Sequence, residues 1–352
     1  MNILINGIGG PTPRSIARSL RWCSRYSQYE LVGTDINPYA RDLYDSTLYN
    51  KTYLVPPAGH PKYWPEMERI IEAHDIEMAL VQPELEVLAW TKRAEESALP
   101  CKALLPSYAL AQQLTDKGIM TDILKDTGWV PPSVIIDPDS NNIYEAVKAL
   151  GYPFWIRATS GSSGLGSLKV ENEAALRNWL HINPNVKQFI GSQYLPGRNL
   201  ACKLLYFEGK LLRAACAERV NYIMSKVAPS GITGNTSFGR LINEPDLVHR
   251  ASKLMDRMFT HAKAPKHGFF TADFKEDENG TPYLTEINVR MVAFNYSFAK
   301  TGANFSEDIV SLMNDDSTFD RNYKMYEFEP GTIFLRDVDA EPILMNERDL
   351  KH

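Results

Sequence analysis

The chain has 352 residues, 44% hydrophobic and 23% charged, which excludes a disordered or fibrous protein and fits two or three compact units. Thirty-eight Lys and Arg against 43 Asp and Glu give a formal charge of -5. With no basic excess to neutralise a phosphate backbone, nucleic acid is not an expected partner.

The cysteines Cys23, Cys101, Cys202 and Cys216 are too scattered for a disulfide framework or a zinc site. No apolar run approaches the ~18 residues of a membrane span, and MNILINGIGG lacks signal-peptide character. A cytoplasmic protein with reduced thiols, away from membranes, is expected.

In chain order, residues 1–6 read as a strand and 13–25 as a helix, with Ile16, Leu20 and Cys23 at helical spacing. A strand at 30–34, a helix at 66–74, a strand at 76–81, a helix at 84–97 and a strand at 103–105 follow. This alternation predicts an α/β unit, a Rossmann-like parallel sheet over 1–112. Ser107 caps a helix through Leu114, and 116–127 is another, stopped by Gly128. An extended segment at 129–132, a helix at 141–150, strands at 154–158 and 167–170 and a helix at 173–181 form a second unit, 113–190. Hairpins dominate the third, 191–352. From Gln188 onward the strands are 189–195, 200–207 and 210–217, then 269–275 and 283–288 joined by the turn at Asp277 to Gly280. A long amphipathic helix covers 246–261, another 307–313, and a terminal strand or hairpin 328–338.

Gly7, Gly9 and Gly10 after the first strand, with Asp35 ending the second, invite a dinucleotide-binding reading. The fingerprint is incomplete: Thr12 holds the third glycine position, and Pro11 and Pro13 remove amide donors. Glycines are needed wherever a strand turns sharply into a helix, and that reading is preferred.

Four features further on converge on a nucleotide. Lys117 begins a helix, and Arg157 stands on an otherwise apolar strand, where a buried charge demands an anionic partner. Ser160, Gly161, Ser162, Ser163, Gly164, Leu165 and Gly166 form a loop whose amides and hydroxyls can wrap a polyphosphate, without the Lys and following helix of a Walker loop. Gln193, Tyr194 and Leu195 lie between two strands, where free backbone groups can pin an adenine edge and Asn199 can reach a ribose hydroxyl. Asp273 lies on one hairpin strand; Glu286, Asn288 and Arg290 alternate along the other, sharing a face. Two carboxylates and an amide oxygen suit magnesium held jointly with phosphates.

On these residues the chain resembles the ATP-grasp superfamily, in the branch of the carbamoyl-phosphate synthetase large subunit, over most of its length. Thr115-Asp116-Lys117 is similar to the start of that nucleotide site, and Trp155-Ile156-Arg157 with the Gly/Ser loop to its second cation and phosphate loop. Tyr194-Leu195-Pro196-Gly197 resembles the adenine hinge, and Glu286-Ile287-Asn288-Val289-Arg290 the metal motif, with Val289 in place of proline. Gln193, Asn199 and Lys203 stand where the family usually or often has acids.

The resemblance implies an ATP-grasp fold behind a Rossmann-like domain, and an ATP-dependent ligase using Mg2+, or Mn2+ in its place. A carboxylate would become an acyl phosphate with release of ADP, then join an amine, by analogy that of an amino acid or small peptide. Lys117, Arg157 and Arg290 would be catalytic, and Asp273, Glu286 and Asn288 would hold metal. Arg219 is a second candidate for the substrate anion, and Glu84 and Glu86 for its amino group. A homodimer acting on small molecules is the corresponding expectation. The competing readings are a non-catalytic ATP-binding module of the same fold and an NAD-binding dehydrogenase built on the N-terminal glycines.

Overall fold

Three sheets organise the chain in the computed structural model, which describes residues 1–22, 29–140, 142–161, 166–338 and 351. The first sheet comes from β1 (Asn2–Asn6), α1 (Pro11–Trp22), β2 (Glu30–Asp35), β3 (Lys51–Leu54), α2 (Tyr63–Ala73), β4 (Met78–Leu80), α3 (Glu84–Glu96) and β5 (Lys102–Ala103). Its strands are parallel, in the order β3-β2-β1-β4-β5. β1 is apolar on both faces because both are covered. Leu4 packs in a cluster with Tyr63 and Trp90, Ile3 and Ile5 in one with Ile16 and Leu20. The edge strand β3, Lys-Thr-Tyr-Leu, was too polar to be read from sequence.

α4 (Tyr108–Thr115) and α5 (Lys117–Leu124) follow. Ser107 caps α4 by accepting from Leu110 N at 3.3 Å, and Asp116 caps α5 by accepting from Ile119 N at 2.9 Å. Gly128 ends the run at φ 69°, the left-handed stop its position predicts.

The second sheet is antiparallel and has its own small core around Phe154, Ile156, Leu176 and Phe189. It contains β6 (Ser133–Ile136), α6 (Ile143–Lys148), β7 (Phe154–Ala158), β8 (Leu168–Val170), α7 (Glu173–Ile182) and β9 (Phe189–Gln193), in the order β6-β9-β7-β8.

The third sheet is formed by β10 (Asn199–Phe207), β11 (Lys210–Tyr222), β12 (Thr236–Ile242), β13 (Gly268–Glu276), β14 (Pro282–Asn288), β15 (Lys324–Met325) and β16 (Ile333–Leu335), in the order β14-β13-β10-β11-β12-β16 with β15 paired to β11. Its helices are α8 (Pro245–Ala262), α9 (Asn295–Ala299) and α10 (Phe305–Met313). β10 and β11 turn at Glu208 and Gly209, both at positive φ. α8 buries Leu247, Val248, Ala251, Leu254, Met255 and Met258 against one face, the 3.6-residue stripe its sequence shows. β11 runs five residues beyond the expected strand, to Tyr222, and β16 occupies only three residues of the expected 328–338. Shared apolar clusters join the first and third sheets, with Trp90 and Leu110 packed near Leu204 and Phe270. Among the described residues, no helix is long and apolar enough to cross a membrane.

Candidate active site

A cavity of about 650 Å3 opens where the three sheets meet, lined by Gly10, Lys117, Arg157, Gly161, Tyr194, Arg219, Glu286 and Arg290 among others. The Asp116 cap sets Lys117 on the first turn of α5. There its ammonium donates to Gly161 O at 2.8 Å and its backbone N–H to Thr159 O at 3.0 Å. Lys117 thus holds the start of the Gly/Ser loop. Gly161 lines the cavity at φ 96°, and Ser160 beside it is exposed. Ser162, Ser163 and Gly164 lie outside the described residues.

Arg157 points from β7 across to the third sheet. Its Nη2 donates to Thr285 O, and its Nη1 lies 3.9 Å from the Glu286 carboxylate. Burial lowers the guanidinium pKa, against the pull of Glu286 and Asp273. Its Nε is buried without a hydrogen-bond partner, as is Arg219 Nε. Both arginines line the cavity, and their positive charge favours an anionic ligand there.

Gln193 ends β9, with Tyr194 and Leu195 just beyond, and all three line the cavity with Asn199. The Tyr194 ring lies 4.6 Å from Lys169 Nζ. Gly197 is required here: a Cβ would stand 2.6 Å from Glu276 Cβ, against the strand to which Gly197 N–H donates at 2.8 Å. Asn199 opens β10 opposite Arg219 on one side and Lys275 on the other.

The β13–β14 register pairs Asp273 with Glu286 and Thr271 with Asn288, with an irregularity just after Asp273. The three expected metal ligands therefore stand together. Asp273 Oδ1 accepts from Arg219 Nη2 at 2.5 Å, and Oδ2 from Asn288 Nδ2 at 3.2 Å. Burial raises the Asp273 carboxyl to about 6, partly offset by Arg219. Among the described residues no group of three or more His, Cys, Asp or Glu is placed to hold a metal ion; the donor set here is two carboxylates plus an amide oxygen. Hard oxygens open to a phosphate-sized cavity fit a magnesium ion shared with phosphates.

Arg290 follows β14 and lines the cavity, its Nη1 donating to Met291 O at 3.1 Å. Glu84 opens α3, next to the cavity-lining Gln82 and Pro83; burial raises its carboxyl pKa, while Lys117 and Arg290 lower it. Glu86 is a correction. Two residues on, its side chain turns into the first domain's core, where Tyr63 Oη at 2.6 Å and Asn6 Nδ2 donate to it, and it is only 4% exposed. On a helix, i and i+2 do not share a face.

The N-terminal glycines also have an internal explanation. Asp35 Oδ2 accepts from Gly9 N at 2.7 Å and Oδ1 from Asn37 N at 2.8 Å, committing both oxygens to the loop itself. A Cβ on Gly9 would meet Ala40 Cβ at 2.7 Å. Gly7 and Gly10 line the wall of the same cavity. Sequence reasoning missed Tyr222, which sits beside the Arg219 guanidinium; Lys203, seen there only as a departure from the family's acid, is buried behind Asp273. For Lys203 the signal existed: a cation within the apolar strand Asn-Leu-Ala-Cys-Lys-Leu-Leu-Tyr-Phe.

No family model matches the chain. It is similar to a D-alanine–D-alanine ligase B of Clostridium perfringens, 22% identical over 195 residues, which cover 53% of this chain and 60% of that protein. The chain thus spans less than two thirds of that curated relative. Among solved structures, an ADP complex of N5-carboxyaminoimidazole synthetase from Staphylococcus aureus matches with a TM-score of 0.65 at 17% identity, covering 95% of this chain and 79% of that one. An L-amino acid ligase from Bacillus licheniformis matches with a TM-score of 0.64 at 16% identity, covering 89% and 73%. The chain shares the ATP-grasp fold of these solved structures.

Proposed function

We propose that this protein is an ATP-dependent ligase that activates a small carboxylic acid as its acyl phosphate and joins it to an amine, the amine belonging to an amino acid or small peptide. The observation that carries the reading is the convergence of Lys117, Arg157, Arg219 and Arg290 with Asp273, Glu286 and Asn288 on one cavity. ATP would lie with its adenine at Tyr194 and Leu195 beside Gln193, its ribose near Asn199, and its phosphates between Lys117, Arg157 and the loop at Ser160 and Gly161. Asp273, Glu286 and Asn288 would hold magnesium, or manganese, which supplies charge neutralisation at the phosphates.

The substrate carboxylate oxygen attacks the γ-phosphorus and ADP leaves; the amine then attacks the acyl carbon, loses a proton, and phosphate departs. Lys117 and Arg157 neutralise charge on the transferring group, and preorganised cations in a water-poor cleft are worth more than in bulk solvent. Arg290 and Arg219 hold the carboxylate and then the acyl phosphate through planar paired donors. Glu84, next to the cavity wall, reads the substrate's amino group. The units 1–112, 113–190 and 191–352 supply the N-terminal wall, the lid and the catalytic sheet. A cytoplasmic homodimer acting on small molecules, with no nucleic-acid or membrane partner, completes the reading.

The test is incubation with ATP, magnesium and pooled acids and amines, reading ADP and phosphate. Turnover that Glu286→Gln or Lys117→Ala abolishes in folded protein is expected. ATP binding without turnover across a broad panel would make the chain a nucleotide-binding module.

A further inference from the structure

Lys203 is fully buried, yet its ammonium has one hydrogen-bond acceptor among the described residues, Asn295 Oδ1. An ammonium has three protons to place. Three aromatic rings stand around it, with Phe294, Phe298 and Phe269 ring centres at 4.9, 5.0 and 5.8 Å. Apolar residues of similar volume would fill such a site at lower cost, because a buried charge gives up its hydration and is only partly compensated.

The surroundings give this residue a task. Lys203 pairs with Thr271 across β13, and Ala201 with Asp273, so Lys203 stands one pleat repeat behind Asp273 on the same face. Its acceptor Asn295 opens α9, five residues after Arg290. The residues between them, Met291 to Phe294, are buried. Phe294 is shared: its ring lies 4.9 Å from the Lys203 ammonium and 5.3 Å from the Arg219 guanidinium. Arg219 in turn holds Asp273.

We propose that Lys203 is a positioning residue for the reaction, fixing through Asn295 and Phe294 the segment that carries Arg290 and the orientation of Arg219 on Asp273. The assignment rests on the ligase reading for its catalytic part. Lys203 touches no reacting group; it acts through two that do.

The decisive variant is Lys203→Met combined with Asn295→Leu, which replaces both polar partners with apolar groups of similar size and leaves neither unpaired. Three readouts are compared with wild type: thermal melting, affinity for a non-hydrolysable ATP analogue by calorimetry, and Mn2+ affinity in the presence of ADP by electron paramagnetic resonance. Initial rates of ADP formation complete the set. Melting within a few degrees and analogue affinity within threefold are expected, with kcat at least tenfold lower and Mn2+ binding at least fivefold weaker. Asn295→Asp, which keeps an acceptor for the ammonium, should stay within threefold of wild type in both. Smaller losses in kcat and Mn2+ affinity in a folded double variant would overturn the proposal, as would tighter Mn2+ binding, which would make Lys203 merely a repelling charge. Should the double variant not fold, Phe294→Leu tests the same relay, and wild-type kcat and Mn2+ affinity there would overturn it. If the wild-type protein binds nucleotide but forms no ADP, the ligase reading fails, and Mn2+ affinity alone decides the role of Lys203.

Discussion

Replacing Arg157 with Met separates a phosphate ligand from a structural clamp. The guanidinium already bonds Thr285 O and lies 3.9 Å from Glu286, so it ties the second sheet to the third. At an effective dielectric of 20 that separation corresponds to roughly 4 kcal/mol of attraction before desolvation. Burial of Arg157 outweighs it, since its pKa falls despite both acids. With Nε also unpartnered, the empty protein gains little from the charge. An anion in the cavity would gain charge-assisted hydrogen bonds worth about 1.5–3 kcal/mol each. Two such bonds at the low end give about 3 kcal/mol, or on the order of a hundredfold in nucleotide affinity. Calorimetric titration with a non-hydrolysable ATP analogue should show that loss for Arg157→Met. Arg157→Lys keeps the charge and should lose about tenfold. A Met variant with affinity within threefold of wild type, but melting many degrees lower without nucleotide, would reduce Arg157 to a clamp and refute the reasoning.

Asn199→Glu places a carboxylate between Arg219 and Lys275, its neighbours across both strands, so the added charge is compensated. It should tighten ATP binding severalfold but leave a 2′,3′-dideoxy analogue unchanged, and equal effects on the two would remove Asn199 from the ribose. Glu86 has its carboxyl raised to about 7 by burial, against an ordinary value of 4.5. A raised acid favours its protonated form in the folded state, so wild type should lose stability as pH rises from about 4.5 to 7, by up to about 3 kcal/mol. Glu86→Gln should flatten that slope in denaturant titrations at pH 5 and pH 8 and leave nucleotide affinity unchanged. An unaltered slope would mean that Glu86 stays ionised throughout.

What the sequence shows of the fold follows from which forces are local. α5 is legible because its cap, its apolar spacing and Gly128 all lie within a dozen residues. β3 and β12 are not, because KTYL and TSFGRLI show little apolar alternation of their own and form by pairing with β2 and with β11 and β16. β6 likewise forms by pairing with β9, more than fifty residues on. In each case the missing information is a partner strand, which no local pattern names.

The site divides along the same line. Glu286 and Asn288 are two residues apart on one strand, and pleat geometry alone puts them together; their meeting with Asp273 needed only a hairpin. Arg219 on Asp273 required the β10–β11–β13 register, set by side-chain packing across three strands. Glu84 and Glu86 show the limit most plainly. Both are acids in the first turn of one helix, and a 200° rotation about its axis separates a residue beside the cleft from one in the core. The dipole of the helix N-terminus favours either equally. Only the packing of α3 against Tyr63 and Trp90 decides which of them is taken into the core.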